Sequence, residues 1–329
     1  MGIEKLRKLQ IGAEDTMGTA VAATSILRMN GMPDDQRETM FVDEHVGYLS
    51  GVDRTYVPKL LAALTSEGEA TFEQLPYLLN AAVENSAGVQ DGAGSGYVYT
   101  YDLPTTAQNT LKTYTIEGGD DQQAEELEYC FVENMVLSGA PGEAWKATAD
   151  WLGRQVSKTT FTASLDLPMV EEILFSKSKL YIDAADGTIG TTVKSSVLLG
   201  AELSIKTGWA PVFTGDGKLY FTFIKCVDPE VLLKVTFEHN ATAVAEKDAW
   251  IAQTARLMRL LVQGSALGTS GAYTYKTLQI DLAGKWEDFE VIGAQDGNDI
   301  VTGTLRARYN ATADLFGQVV VVNELSALP

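Results

Sequence analysis

A fourteen-residue stretch occurs twice in this chain, and the repetition limits the available folds more than any other feature. Residues 58–71 read PKLLAALTSEGEAT, and residues 229–242 read PEVLLKVTFEHNAT. Aligned without a gap they share Pro58/Pro229, Leu61/Leu232, Thr65/Thr236, Glu67/Glu238, Ala70/Ala241 and Thr71/Thr242. Those six identities in fourteen positions exceed the roughly one expected of unrelated segments. The flanks extend the likeness. An apolar stripe follows each copy: Leu78, Leu79, Ala82 and Val83 in 72–87, and Leu257, Met258, Leu261 and Val262 in 251–266. That spacing predicts an amphipathic helix in each, the second over 249–263. A glycine loop and a Tyr-Thr-Tyr strand come next at 99–101 and 273–275, then TYTIE at 113–117 and TLQID at 277–281. The chain reads as a tandem duplication.

A chain of 329 residues holds two such units with ordinary cores. With 45% hydrophobic and 21% charged residues it is globular rather than disordered. Strands dominate each repeat, with one helix apiece. The expected fold is therefore mainly β, each repeat a β-sandwich or partial barrel capped by a helix. The helices are too few to cross between parallel strands.

Residues 1–30 open with charges and then turn small and apolar, and they read as an extended N-terminal arm. The first repeat spans 31–187 and the second 188–329, with Ala184-Ala185-Asp186-Gly187 at the boundary and KLYID closing the first. Residues 31–56 form a long polar insertion, with one strand over 40–48. Residues 117–128 are the densest acidic run and read as a solvated loop. Trp145 and Trp151 are core anchors, and Gly215-Asp216-Gly217 turns a hairpin.

No catalytic, cofactor-binding or metal-binding residue and no cofactor is expected of this chain. His45 and His239 lack acidic or thiol partners at ligand spacing. Cys130 and Cys226 sit in apolar strand-like runs and read as buried hydrophobes. Gly92, Gly94 and Gly96 leave a helix and enter a strand, the reverse of a dinucleotide loop. Tyr97, Tyr99 and Tyr101 share one strand face; that face is either half-buried or a carbohydrate platform. Asn240 and Asn310 match a glycosylation pattern, without a secretory signal before them. No apolar run approaches membrane-spanning length, so a soluble protein without a membrane anchor is expected. The net charge of −19 argues against a protein that clamps phosphate.

Gly12, Glu14, Gly18 and the following Thr19-Ala20-Val21-Ala22-Ala23-Thr24 resemble the opening motif of the tail tube (major tail) proteins of long-tailed bacteriophages. The run PVFTGDGKLYFTF at 211–223 is similar to that family's later layout. The resemblance implies tandem tube domains that close into rings, stacked as a hollow conduit for double-stranded DNA. It implies a virion protein assembled in the host cytoplasm, with itself, a tape-measure protein, a tail terminator and baseplate proteins as partners. Duplication then makes three chains do the work of six, and the arm of small residues gains order only against a neighbouring subunit. The bore is expected to be acidic, with 117–128 as a candidate lining, so that DNA slides rather than binds. The alternatives are a carbohydrate-binding or adhesive pair of sandwiches using Trp209 and the tyrosines, or another virion part such as a decoration or tail-completion protein.

Overall fold

A computed structural model describes residues 2–329. In the upstream half the strands are β1 (Lys8–Ala13), β2 (Ser25–Leu27), β3 (Ala62–Glu69), β4 (Tyr97–Asp102), β5 (Tyr114–Gly119), β6 (Ala124–Gly139), β7 (Lys146–Gly153) and β8 (Val156–Thr159), with helix α1 (Leu75–Ala82) after β3. Downstream come β9 (Ser178–Ala184), β10 (Leu198–Lys206), β11 (Trp209–Val212), β12 (Phe223–Cys226), β13 (Glu230–Glu238), β14 (Arg256–Ala266), β15 (Tyr275–Phe289), β16 (Asn298–Ala307) and β17 (Gly317–Asn323), with α2 (Ala241–Ile251) after β13. The protein is mainly β, its sheets are antiparallel, and no pairing closes them into a barrel.

The repeated stretch takes equivalent places. β3 and β13 each precede a helix, and each pairs with the last strand of the meander that follows. In the first case the order is β3–β7–β6–β5. In the second it is β13–β16–β15–β14. An outer strand then completes each, β1 on β5 and β9 on β14. β6 and β15 are long because each serves two sheets, and each carries a register shift in the same place, at 132/134 and 286/288. Such a bulge bends a strand and lets its two halves follow different neighbours.

KLYID, expected to close the first repeat, pairs with β14 instead, so it opens the second strand set upstream of the expected division at 187. Its true counterpart is KLQI in β1. Lys8 to Lys179 spans 171 positions, as does Pro58 to Pro229.

The second helix is not where the apolar stripe placed it. α2 lies at Ala241–Ile251, and most of the supposed helix is strand β14. Asn240 starts α2 by accepting hydrogen bonds from the Thr242 and Ala243 amides, an N-cap that offsets two unpaired donors. α2 lies at the surface and buries only Ala243, Glu246 and Ala249. α1 is buried on every side, as LPYLLNAA, without a charge, permits. Tyr77 on α1 meets Tyr114 edge-on at 5.8 Å, and Tyr114 meets Trp151 at 6.3 Å. Tyr99-Thr100-Tyr101 and Tyr273-Thr274-Tyr275 are not equivalent either: the first lies in β4, an edge addition, whereas the second leads into the long central β15.

Residues 8–24 are not a free arm. β1 is paired on both sides, by β2 and β5, and Leu9 and Ile11 belong to the main core. The return segment is held by backbone rather than by bulk. The Val21 amide donates to Thr115 Oγ1, and the Ala23 amide to Glu117 Oε1 and Thr162 Oγ1. Small side chains let it lie flat. A Cβ on Gly12 would stand 2.5 Å from the Ala22 carbonyl oxygen. Gly18 has φ +77° and lies against the Arg154 guanidinium. Glu14 is buried and accepts from the amides of Gly18 and Tyr129, both at 2.7 Å, and from the hydroxyls of Thr113 and Thr115. Glu14→Ala is therefore expected to strand several buried donors and to cost about 3 kcal/mol or more, read as a lowered urea midpoint.

The acidic run 117–128 is a hairpin rather than a loop, the end of β5 and the start of β6 joined at 120–123. Glu117 within it is buried, accepting from Ala23 and Thr162. In the 31–56 insertion the expected strand over 40–48 shrinks to Met40–Phe41, paired with Thr55–Tyr56.

Candidate assembly edges

Eight segments form one continuous sheet through both halves. Its first member is a strip beginning at 34, where Asp34 and Asp35 pair with Ala63 and Ala62 of β3 and the Gln36 amide donates to Leu61 O. The order is strip–β3–β7–β6, then β10–β13–β16–β15. The second four repeat the first: β10 runs along β13 as the strip runs along β3. One seam joins the fours, β6 to β10, from Asn134↔Lys206 to Gly139↔Ala201. Thr207 extends it, its amide and hydroxyl both bonding Glu133 O.

No described strand pairs with the two outer ends of this sheet, although at the β15 end the Trp250 indole N–H donates to Glu287 O at 3.1 Å, the counterpart of the Glu133 carbonyl in the seam. Val132/Trp286 and Met135/Phe289 lie 154 positions apart, as do their partners Trp151/Leu305 and Ala149/Gly303. Val291 follows Phe289 as Leu137 follows Met135. Beyond Phe289 the downstream register slips by one, since Gly293 pairs with Ile300. Leu137 is 1% exposed, with β10 beside it at Leu203. Val291 is 90% exposed and Ile292 46%. The difference is the missing neighbour. The Glu290 amide donates to Thr302 O across the β15–β16 hairpin, whereas the Val291 N–H and C=O make no hydrogen bond among the described residues. At the other end, 34–38 is exposed throughout and presents its own unpaired side.

One face of the sheet carries the core and the other is polar. A single row crosses the bare face and the seam together: Glu69, Lys146, Ser138, Glu202, Lys234, Thr304 and Asp288, each registered with the next. Glu67, Asp150, Glu230, Glu238, Glu287 and Glu290 share that face, with Lys206, Lys285 and Arg306, so acid exceeds base. Surface pairs such as Lys234–Glu290 at 2.9 Å and Arg306–Glu230 at 3.0 Å contribute little each.

Two further crossings tie the halves. The β11–β12 hairpin lays Trp209 and Phe221 against Leu111, Tyr129 and Phe131 of the upstream half. β17 pairs with β4 along six positions. This second crossing disposes of the tyrosine platform. Tyr99 and Tyr101 are buried, their hydroxyls donating to Leu325 O and Pro76 O, and burial pushes the Tyr99 phenol up to about 12. Trp209 is buried as well.

The other residues singled out in the sequence do not converge. His45 is exposed in the insertion, and the His239 amide donates to Asp299 O. Cys130 is buried and Cys226 half-buried, both as free thiols. Among the described residues no cluster of His, Cys, Asp or Glu has metal-holding geometry. The glycine loop at 92–96 turns against 269–271, with Asp91 accepting from the Tyr273 amide at 2.7 Å. No described helix is long and apolar enough to cross a membrane. Val291, Ile292 and the strip at 34–38 were not legible beforehand; laying β6 on β15 and β10 on the strip is what finds them. No protein-family model matches the chain, and no curated protein matches it.

Proposed function

We propose that this chain is the tail tube subunit of a long-tailed bacteriophage, a structural rather than catalytic protein that builds a hollow conduit for double-stranded DNA. The observation that carries the reading is the open sheet made of one four-strand unit used twice. The seam β6–β10 inside the chain is a worked copy of a joint between chains: the 288–293 edge of one molecule would take the 34–38 strip of the next. Such a contact is heterologous, so it propagates until the rotation closes a ring. Three chains supply six units, which gives trimeric rings with pseudo-sixfold symmetry.

Closing the sheet this way turns its core-covered face outward and its bare face to the bore. The acid excess on that face suits a channel that phosphate must traverse without sticking. The acidic hairpin at 117–128 lies on the other sheet of its half and is not needed for this. Stacked rings would form the tail tube, assembled in the host cytoplasm and carried on the virion, with tape-measure, terminator and baseplate proteins as partners. The motif Gly12, Glu14, Gly18 acquires a physical role as the clasp that sets β1. Negative-stain microscopy of the purified chain is expected to reveal rings or tubes with threefold averages. A chain that stays single at all concentrations, or rings of six whole chains, would overturn the reading.

A further inference from the structure

The β11–β12 hairpin lies between β10 and β13, and it packs on the upstream half beside Arg154. Arg154 is 8% exposed, yet among the described residues no carboxylate pairs with it. Its guanidinium donates to three carbonyls: Phe221 O at 3.1 Å, Thr222 O at 2.9 Å and Gly18 O at 3.1 Å. It also lies over the Tyr129 and Tyr220 rings at 4.5 and 5.1 Å. The arginine reads the backbone of the incoming hairpin, while Phe221 fills the space beside Tyr129 at 5.0 Å.

The downstream half has the counterpart of this socket, and it holds no hairpin. The spacing of 154 puts Arg308 opposite Arg154, and each returns its own amide to the long strand, to Ala283 O and Glu128 O. Arg308 is exposed, and its guanidinium has no hydrogen-bond or ion-pair partner among the described residues. It borders a cleft of about 500 Å³ with Asp186, Thr254, Gly284, Lys285 and Tyr309. These positions correspond to the loop after β1, the approach to β5 and the middle of β6, the walls that hold Phe221 upstream.

The upstream half, in turn, has a counterpart of the hairpin with nothing to pack on. Residues 40–56 lie between the 34–38 strip and β3, as β11–β12 lies between β10 and β13. At the spacing of 171, Tyr48 and Leu49 fall opposite Leu219 and Tyr220, next to Phe221. Tyr48 is 75% exposed and Leu49 fully so, with Phe41 and Tyr56 also exposed. Asp43 and Asp53 give this hairpin the charge that suits Lys285 and Arg308.

We infer that the Arg308 cleft is the socket for the 40–56 hairpin of a second copy of this chain. Tyr48 and Leu49 enter the cleft, and Arg308 donates to main-chain carbonyls at the hairpin tip. The inference rests on the head-to-tail reading above, because the strip that would dock on 288–293 leads directly into this hairpin. It adds a second, side-chain-specific contact to the sheet joint and explains why one insertion is packed and the other bare.

The test compares the full chain with Arg308→Ala and with the double variant Tyr48→Ala/Leu49→Ala, following assembly by sedimentation and fold by circular dichroism. All three sites are exposed, so unchanged spectra and melting are expected. Either variant should raise the concentration for half-assembly about tenfold or more, as buried Arg and aromatic anchors do. A Leu49→Cys/Ala311→Cys chain should form disulfide-linked multimers, and each single cysteine variant should not. Normal assembly by both variants, with no cross-link, overturns the socket and leaves the head-to-tail reading standing. A wild-type chain that never associates overturns both.

Discussion

Replacing Val291 by proline is expected to stop the chain from associating while leaving the single chain folded. The N–H lost is one that makes no hydrogen bond among the described residues, the bond to β16 coming from its neighbour Glu290. The ladder inside the molecule is therefore untouched, and Val291 has no packing to lose. At a joint, proline removes a donor and sets its ring in the path of the incoming strand. That costs about 3 kcal/mol or more, or over about a hundredfold in affinity at each contact. Sedimentation reads the association and circular dichroism the fold. Assembly by Val291→Pro at wild-type concentrations would show that this edge is not the joint. The matching change inside the chain, Leu137→Pro, should instead damage the fold, because β10 already occupies that side.

Deleting residues 1–24 should destabilise the single chain rather than merely hinder its assembly. The deletion removes Leu9 and Ile11 from the core, at about 1.5–3 kcal/mol each. It also leaves one side of β5 without its partner and takes away the Glu14 carboxylate, on which the buried Tyr129 amide depends. Together these losses rival the whole stability of an ordinary domain, about 5–15 kcal/mol. The expected result is insoluble protein, or a melting transition far below that of the intact chain. An unchanged transition would mean that β1 adds nothing to the fold.

That second expectation reverses the reading of the first thirty residues as a free arm, and the reason is physical. Side-chain bulk was the guide, and residues 12–24 have little. What fixes them is backbone donors meeting Thr115, Glu117 and Thr162, acceptors that lie about a hundred or more positions downstream. The repeated PKLLAALTSEGEAT was legible because its shared proline precedes the strand, its shared threonine and glutamate lie on the polar face of β3 and β13, and its closing Ala-Thr leads into each helix. The order strand, helix, meander was legible too. LMRLLV at 257–262 was misread because β14 lies between β9 and β15 and packs apolar residues on both faces. Such a strand is a continuous apolar run, and helical spacing can always be found in one. KLQI and KLYI were separated by the same habit, each being assigned by what stood next to it. The bare sheet edges carry no pattern of their own, since an exposed valine and a run of acids look alike on any surface. They become visible only when one half is laid on the other.

The pairing of β17 with β4 sets a clock on folding. Gln318 reaches Asp102 across 216 positions of chain. A ribosome working at about 5–20 residues per second takes roughly 10–40 s to cover that distance. For that interval β4, with its three tyrosines, has left the ribosome while its partner strand does not yet exist. Contacts of such long range also form slowly in a free chain, because loop closure must precede any gain from burial. The upstream half is thus committed to waiting, its edge open to whatever strand arrives first. Crowded synthesis, with many chains exposing that edge at once, would favour the wrong one.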